Sequence, residues 1–216
     1  MNKLPNIEFK KPQHNPTIDS EYSMFELPFY KTIDYFANID NFVRFVKGVE
    51  NMVRTSPYYK KYISYLKNDL GLNYCQVLSN IKSESEKEKI EIHMHHGPIL
   101  TLFDVVSIVT DSLLARDEKV NTFIVADKVI EEHFNNNIQV VMLSETVHEE
   151  VHANNIFINL KQAFGDINTF IKKYRDGLND EYIDKINKYI ETSLKYDSFD
   201  NETLKLRETI KCWAKK

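Results

Sequence analysis

The sequence has few cysteines and no long hydrophobic run, and these absences exclude several classes of protein. Only two cysteines occur in 216 residues, Cys75 and Cys212, and their separation matches no metal-binding or disulfide spacing. No apolar run approaches the roughly 20 residues that a membrane span requires, and the opening stretch MNKLPNIEFKK lacks the apolar segment of a signal peptide. We therefore expect a soluble cytoplasmic protein without disulfides and without a membrane partner.

An excess of positive charge is also missing. The chain has 28 Lys and Arg against 32 Asp and Glu, a formal net charge of -4. This balance argues against a general nucleic-acid coat and leaves only local basic groups as DNA contacts. Lys172 and Lys173 are one such pair, although a solvated helix face explains them equally simply. The length and the 42% hydrophobic content predict a globular fold whose core needs no disulfides.

The chain divides into four predicted regions. Residues 1–30 carry four of the six prolines and no periodicity, which predicts an extended arm. Residues 31–89 form an N-terminal helical region, with helices beginning near Asp40 and at Pro57 and a charged run, KSESEKEK, at its end. Residues 90–160 form a mixed unit. Residues 161–216 follow as C-terminal helices near 165–176, 179–195 and 201–214.

The mixed unit combines two strands and a helix. KIEIHMHHGP alternates apolar and polar residues, which predicts a strand ending in a histidine pair. Residues 99–135 are a helical insertion, IQVVML predicts a second strand over 138–143, and Ser144 is a natural N-cap for the helix with VHEEVH. Five of the seven histidines lie at the two ends of this unit, and they are His93, His95, His96, His148 and His152. The predicted fold class is α+β, predominantly α-helical with a small embedded ββα-metal unit.

HEEVH, residues 148–152, matches the His-Glu-x-x-His signature of zinc metalloproteases. In such an enzyme His148 and His152 would bind zinc and Glu149 would be the general base. The signature also needs a third ligand. Asn155 stands where the extended motif has glycine, no histidine follows His152, and Glu181 lies in a poorly matching context. A zinc metalloprotease is therefore the less favoured alternative.

A strand ending in two histidines, followed by a helix with His-x-x-x-His, resembles the HNH (His-Me finger) endonucleases, most closely the colicin-type DNases. The resemblance implies one divalent metal ion, Zn, Mg, Mn or Ni, bound by His95, His148 and His152. It implies that His96 is the general base that activates water. Gln139 stands at the family's middle asparagine, nine residues before His148, and would brace His96.

Two functions from different classes follow from this resemblance. The first is a metal-dependent endonuclease that hydrolyses DNA phosphodiester bonds, with DNA as its partner. The alternative is a non-catalytic structural or interaction protein of a phage, located in the host cytoplasm, in which the metal unit only stabilises the fold. Such a protein would bind a protein partner through its N-terminal arm and helices. His93, on the same strand face as His95, is interpreted as a residue beside the site, because three histidines already suffice.

Overall fold

The computed structural model describes residues 30–79, 81–83 and 90–214, and this part of the chain folds mainly into α-helices. The helices are α1 (Ile33–Phe36), α2 (Ile39–Thr55), α3 (Pro57–Ser64), α4 (Leu102–Ala115), α5 (Thr122–Phe134), α6 (Glu145–His152), α7 (Ile167–Lys173), α8 (Asp180–Tyr196) and α9 (Asn201–Ala214). A π-helical turn, Tyr65–Asp69, follows α3, and short 3-10 turns lie at Leu160–Gln162 and Arg175–Gly177. The architecture confirms the predicted α+β, mainly helical class.

Two strands, β1 (Ile92–His96) and β2 (Val140–Ser144), form an antiparallel sheet. The register pairs His95 with Val141 and His96 with Val140. Helix α6 begins directly after β2 and packs against both strands. Phe164 forms a further antiparallel bridge to Val140, with backbone hydrogen bonds of 2.9 and 2.8 Å, on the side of β2 away from β1. The order strand, helical insertion, strand, helix is the one predicted from the sequence.

Several helices begin at residues whose side chains accept hydrogen bonds from the first turn. Ser56 accepts from the backbone N–H of Tyr58, and Pro57 occupies the first turn of α3, as its position in the sequence predicts. Thr101 and Asp104 form a reciprocal capping box at the start of α4. Ser144 has the extended backbone of an N-cap before α6, but its side chain makes no capping hydrogen bond.

Helix α4 lies at the centre of the hydrophobic core. It contacts α2, α5 and the 3-10 turn Arg175–Gly177, and most of its residues are buried. The turn approaches so closely that a Cβ on Gly177 would overlap the carbonyl oxygen of Ile108. The helical insertion between the strands is therefore part of the core.

Some predictions lie outside the part of the chain that the structure describes. The N-terminal arm, 1–30, is described only at Tyr30, and most of the charged run, 84–89, is not described. The division into four regions stays a prediction. The sequence did not predict α1 or the π-helical turn after α3. No helix among the described residues is long and apolar enough to cross a bilayer.

Candidate metal centre

Three histidines from β1 and α6 meet at the surface of the sheet. His95 lies on β1, and His148 and His152 are one turn apart on α6, so both of their rings lie on the helix face that meets the strand. Each residue offers one ring nitrogen, and these three nitrogens lie within 4.8 Å of one another. The elements thus bring together the three residues that the resemblance assigned as metal ligands.

The spacing of the rings matches the requirement of a tetrahedral ion. The Nε2 atoms of His148 and His152 are 3.2 Å apart. Two nitrogens bound at about 2.0–2.1 Å to a tetrahedral Zn²⁺ lie about 3.3 Å apart, by simple trigonometry. The ring of His95 stands edge-on to both, with centroid distances of 5.1 Å to His148 and 5.0 Å to His152. The donor set therefore fits a divalent ion with a preference for nitrogen ligands.

The surroundings of His95 and His148 favour the neutral form of their imidazoles. Burial, together with the neighbouring His148 and His152, lowers the pKa of His95 to about 4. The pKa of His148 is lowered in the same way, first by burial and then by His152. A neutral imidazole is the form that binds a metal. At neutral pH, protons therefore compete less with a metal ion for the ring nitrogens of His95 and His148 than they would for a free imidazole.

Carboxylates surround the cluster. Glu145, Glu149 and Glu150 are exposed on α6, and Glu91 is exposed just before β1. Negative charge raises the local concentration of cations and repels a phosphodiester. The metalloprotease alternative requires Glu181 to complete the ligand set. Within the described residues the three-histidine group contains no carboxylate, so Glu181 is not part of it. The negative charge around the cluster therefore favours the binding of a cation over the binding of DNA.

His96 lies on the opposite face of β1, because neighbouring residues of a strand point to opposite sides. Its side chain is only 6% exposed, and its ring stacks on Tyr59 at a centroid distance of 6.0 Å. Its Nε2 atom lies 2.9 Å from Nε2 of His133 on α5. Burial and the nearby His133 lower its pKa well below the usual value. The role of general base at the metal stays a prediction, and this position in the core does not favour it.

Gln139 occupies the position before β2 that was expected to brace His96. Its side chain is nearly buried, and Oε1 has no hydrogen-bond partner among the described residues. Its backbone carbonyl accepts a hydrogen bond from Gly97, while the contact to the ring of His96 comes from His133. The predicted bracing is therefore not present between these side chains. The expected contact depended on His96 facing the metal cluster.

Sequence reasoning missed His133. The signal that could have identified it is its place on the apolar face of α5, four residues after the buried Val129.

A second residue that sequence reasoning missed is Glu132, which is fully buried and forms an ion pair with Lys173 on α7. This pairing gives Lys173 a structural partner in place of the suggested phosphate contact. Lys172 is exposed at the groove between α7 and α9.

Comparison with known families adds one finding. The family model described as Bacteriophage G278-like virion protein matches residues 5–212, which is nearly the whole chain. No curated protein and no solved structure matches the chain. The match confirms the phage origin expected from the sequence. The resemblance to HNH endonucleases stays a prediction.

Proposed function

Because the chain belongs to the Bacteriophage G278-like virion protein family, we propose that it is a non-catalytic structural component of a phage particle whose three-histidine cluster binds one divalent metal ion. The observation that carries the metal site is the convergence of the ring nitrogens of His95, His148 and His152 within 4.8 Å. Family membership supports the structural role.

The chemistry of the donors narrows the choice of ion. Imidazole nitrogens suit Zn²⁺, Cu²⁺ and Ni²⁺, whereas Mg²⁺ and Mn²⁺ prefer carboxylate and water oxygens. Three imidazoles and no carboxylate in the cluster of described residues therefore favour zinc or nickel over magnesium or manganese. The ion would link β1 to α6 across residues 97–139, the segment between the two strands that includes the helical insertion. Such a link stabilises the folded chain by mass action, since the unfolded chain does not hold the ligands together.

Three features support a structural role over catalysis. His96 is buried in the core and contacts His133. Gln139 does not brace it. The exposed face of α6 carries carboxylates, which would repel a DNA backbone. The partners that fit a virion protein are other proteins of the particle, bound through the helices and the N-terminal residues.

An HNH-type endonuclease is the second candidate, and the order of the elements favours it. β1 and β2 are antiparallel, and α6 follows β2 directly and presents His148 and His152 to β1. The resemblance implied this strand, strand, helix arrangement around one metal ion. In this candidate the three histidines would hold the ion, which would stabilise negative charge on the phosphate.

Metal binding is tested on the purified chain after treatment with a chelator. Added Zn²⁺ should bind at one ion per chain and raise the melting temperature, by an amount that grows with zinc concentration. The double variant His148→Ala/His152→Ala should lose both effects. Glu149→Gln is the matched control, because it lies between the two ligands on α6 and should keep zinc binding. Failure of the wild-type chain to bind zinc or nickel would exclude the metal site.

The two candidate functions are separated by a plasmid assay. Supercoiled DNA is incubated with the protein and, in turn, Zn²⁺, Ni²⁺, Mg²⁺ and Mn²⁺. A structural virion protein leaves the plasmid intact with all four ions. Nicking that disappears in His95→Ala, with the fold retained by circular dichroism, would instead establish the endonuclease and overturn the structural proposal.

A further inference from the structure

The number of protein ligands distinguishes the two uses of zinc in proteins. Structural sites are closed by four protein ligands, whereas catalytic sites have three and leave one position for water or substrate. The cluster of His95, His148 and His152 has three ring nitrogens within 4.8 Å. A structural role therefore requires one more ligand close to these three.

His93 is placed to supply that ligand. It lies two residues before His95 on β1, and side chains two apart on a strand project from the same face. Its ring centroid is 6.0 Å from that of His148, with the two rings tilted by 31°. His93 therefore lies next to the three-histidine cluster, on the strand face that carries His95.

The side chain of His93 is also free to move toward the cluster. It is 43% exposed, and its contact is with the exposed carboxylate of Glu91, whose Oε2 lies 3.6 Å from Nε2 of His93. This separation is longer than a hydrogen bond. The ring of His96, in contrast, is fixed in the core by His133 and Tyr59. Rotation of the His93 side chain therefore breaks no hydrogen bond among the described residues.

We propose that His93 is the fourth ligand, so that β1 and α6 each contribute two histidines to a closed metal site. This inference rests on the proposed function, since it presupposes that His95, His148 and His152 bind an ion. Glu91 is exposed and 3.6 Å from Nε2 of His93, and a small shift of its side chain would let it accept the ring N–H that faces away from the ion, a contact that orients metal-binding histidines. A closed site leaves no position for an activated water and gives the ion a purely structural use.

Cobalt substitution tests the number of protein ligands directly. Co²⁺ is bound to the metal-free protein, and its visible absorption spectrum is recorded with and without added azide. The wild-type chain should give a four-coordinate spectrum that azide does not change. His93→Ala should still bind Co²⁺, with affinity reduced by roughly 10- to 100-fold or more, as even the loss of a supporting contact has this effect. Its spectrum should respond to azide, because an exchangeable water replaces the ring.

A second variant separates the loss of a ligand from a change in the fold. His93→Cys restores a ligand atom and should recover the affinity and the insensitivity to azide, with a spectrum altered by the sulfur ligand. Glu149→Gln should behave as the wild-type chain. If the wild-type chain binds Co²⁺ but responds to azide, or if His93→Ala binds as tightly as wild type, the fourth ligand is not His93 and the three-histidine site stands. If the wild-type chain binds no metal, the proposed metal site fails and this inference fails with it.

Discussion

His96 donates a hydrogen bond to His133 through facing Nε2 atoms that are 2.9 Å apart. The direction follows from the other ring nitrogen of His133, because Nδ1 lies 2.7 Å from the carbonyl oxygen of Val129, which can only accept. Nδ1 of His133 therefore carries its proton, Nε2 is bare, and the shared proton belongs to His96. The two rings form a neutral pair that joins β1 to α5 within the core.

We expect this pair to make stability depend on pH in the acid range. Burial lowers the pKa of His133 from 6.5 to about 4, so the unfolded chain binds its proton at a higher pH than the folded chain. The free energy of unfolding should be constant above about pH 6.5 and fall as the pH drops toward 4, on the order of 3 kcal/mol for this residue. Urea unfolding at pH 7.5, 6 and 5, with a chelator present, measures the slope.

The variant His133→Phe provides the control for that slope. It keeps a ring in the site but removes the titrating group and leaves the N–H of His96 without an acceptor. The variant should be less stable than wild type at pH 7.5 and should lose less stability between pH 7.5 and 5. An identical slope in both proteins would show that His133 does not produce the pH dependence.

Loss of the positively charged Lys173 side chain beside Glu132 should destabilise the fold. Glu132 is fully buried, and its carboxylate accepts hydrogen bonds from Tyr174 at 2.9 Å and from Asn137 at 2.6 Å besides the ion pair with Lys173. Lys173→Met should lower the free energy of unfolding by about 2 kcal/mol, since the lysine is half-exposed and the carboxylate is not. The double variant Glu132→Gln/Lys173→Met should recover part of this loss. Urea titrations of the wild type, Lys173→Met and the double variant measure these changes, and a double variant no more stable than Lys173→Met would contradict the coupling.

Substitution by alanine should change the free energy of unfolding in opposite directions at two glycines. Gly48 lies inside α2, and a Cβ there would meet its nearest atom at 3.9 Å, so Gly48→Ala should stabilise the chain by about 0.5–1 kcal/mol. A Cβ on Gly177 would overlap the backbone of α4 at Ile108 and Ser112, so Gly177→Ala should cost more than about 2 kcal/mol. Thermal unfolding measures both. A Gly177→Ala protein as stable as wild type would contradict the described contact between α4 and the turn.

Replacing Gln139 by leucine should increase stability. Its Oε1 atom is buried without a hydrogen-bond partner among the described residues, and an unsatisfied acceptor of this kind costs about 1–3 kcal/mol. Leucine has a similar volume and no polar atom, so Gln139→Leu should raise the free energy of unfolding by about 1 kcal/mol. Gln139→Glu is the opposing comparison and should destabilise the fold at neutral pH. A loss of stability in Gln139→Leu would mean that the amide makes a contact of structural value.

Local patterns in the sequence were sufficient for the elements that form the site. IQVVML and the alternation in KIEIHMHHGP predicted β2 and β1, and the spacing of His148 and His152 predicted that their rings share one face of α6. Both predictions depend only on the periods of strands and helices. The same alternation places His96 on the face of Ile92 and Met94, which is the face turned to the core. The resemblance to nucleases outweighed that signal.

Contacts between distant parts of the chain could not be predicted. The partner of His96 is His133, on a helix of the insertion, and nothing in either local sequence identifies the other. The ion pair of Glu132 with Lys173 and the bridge of Val140 with Phe164 depend in the same way on how the helices pack. Such contacts arise from the shape of the whole core, which one sequence does not reveal.

The antiparallel pairing of β1 with β2 also determines when the site can form. The strands are separated by residues 97–139, which include α4 and α5, so their pairing must close a long loop, whereas each helix forms from local contacts. We therefore expect His95 to meet His148 and His152 late in folding, after the insertion has packed into the core. A metal ion that needs all of these rings would bind only to chains that have completed this folding step, so metal uptake would report on the completion of folding.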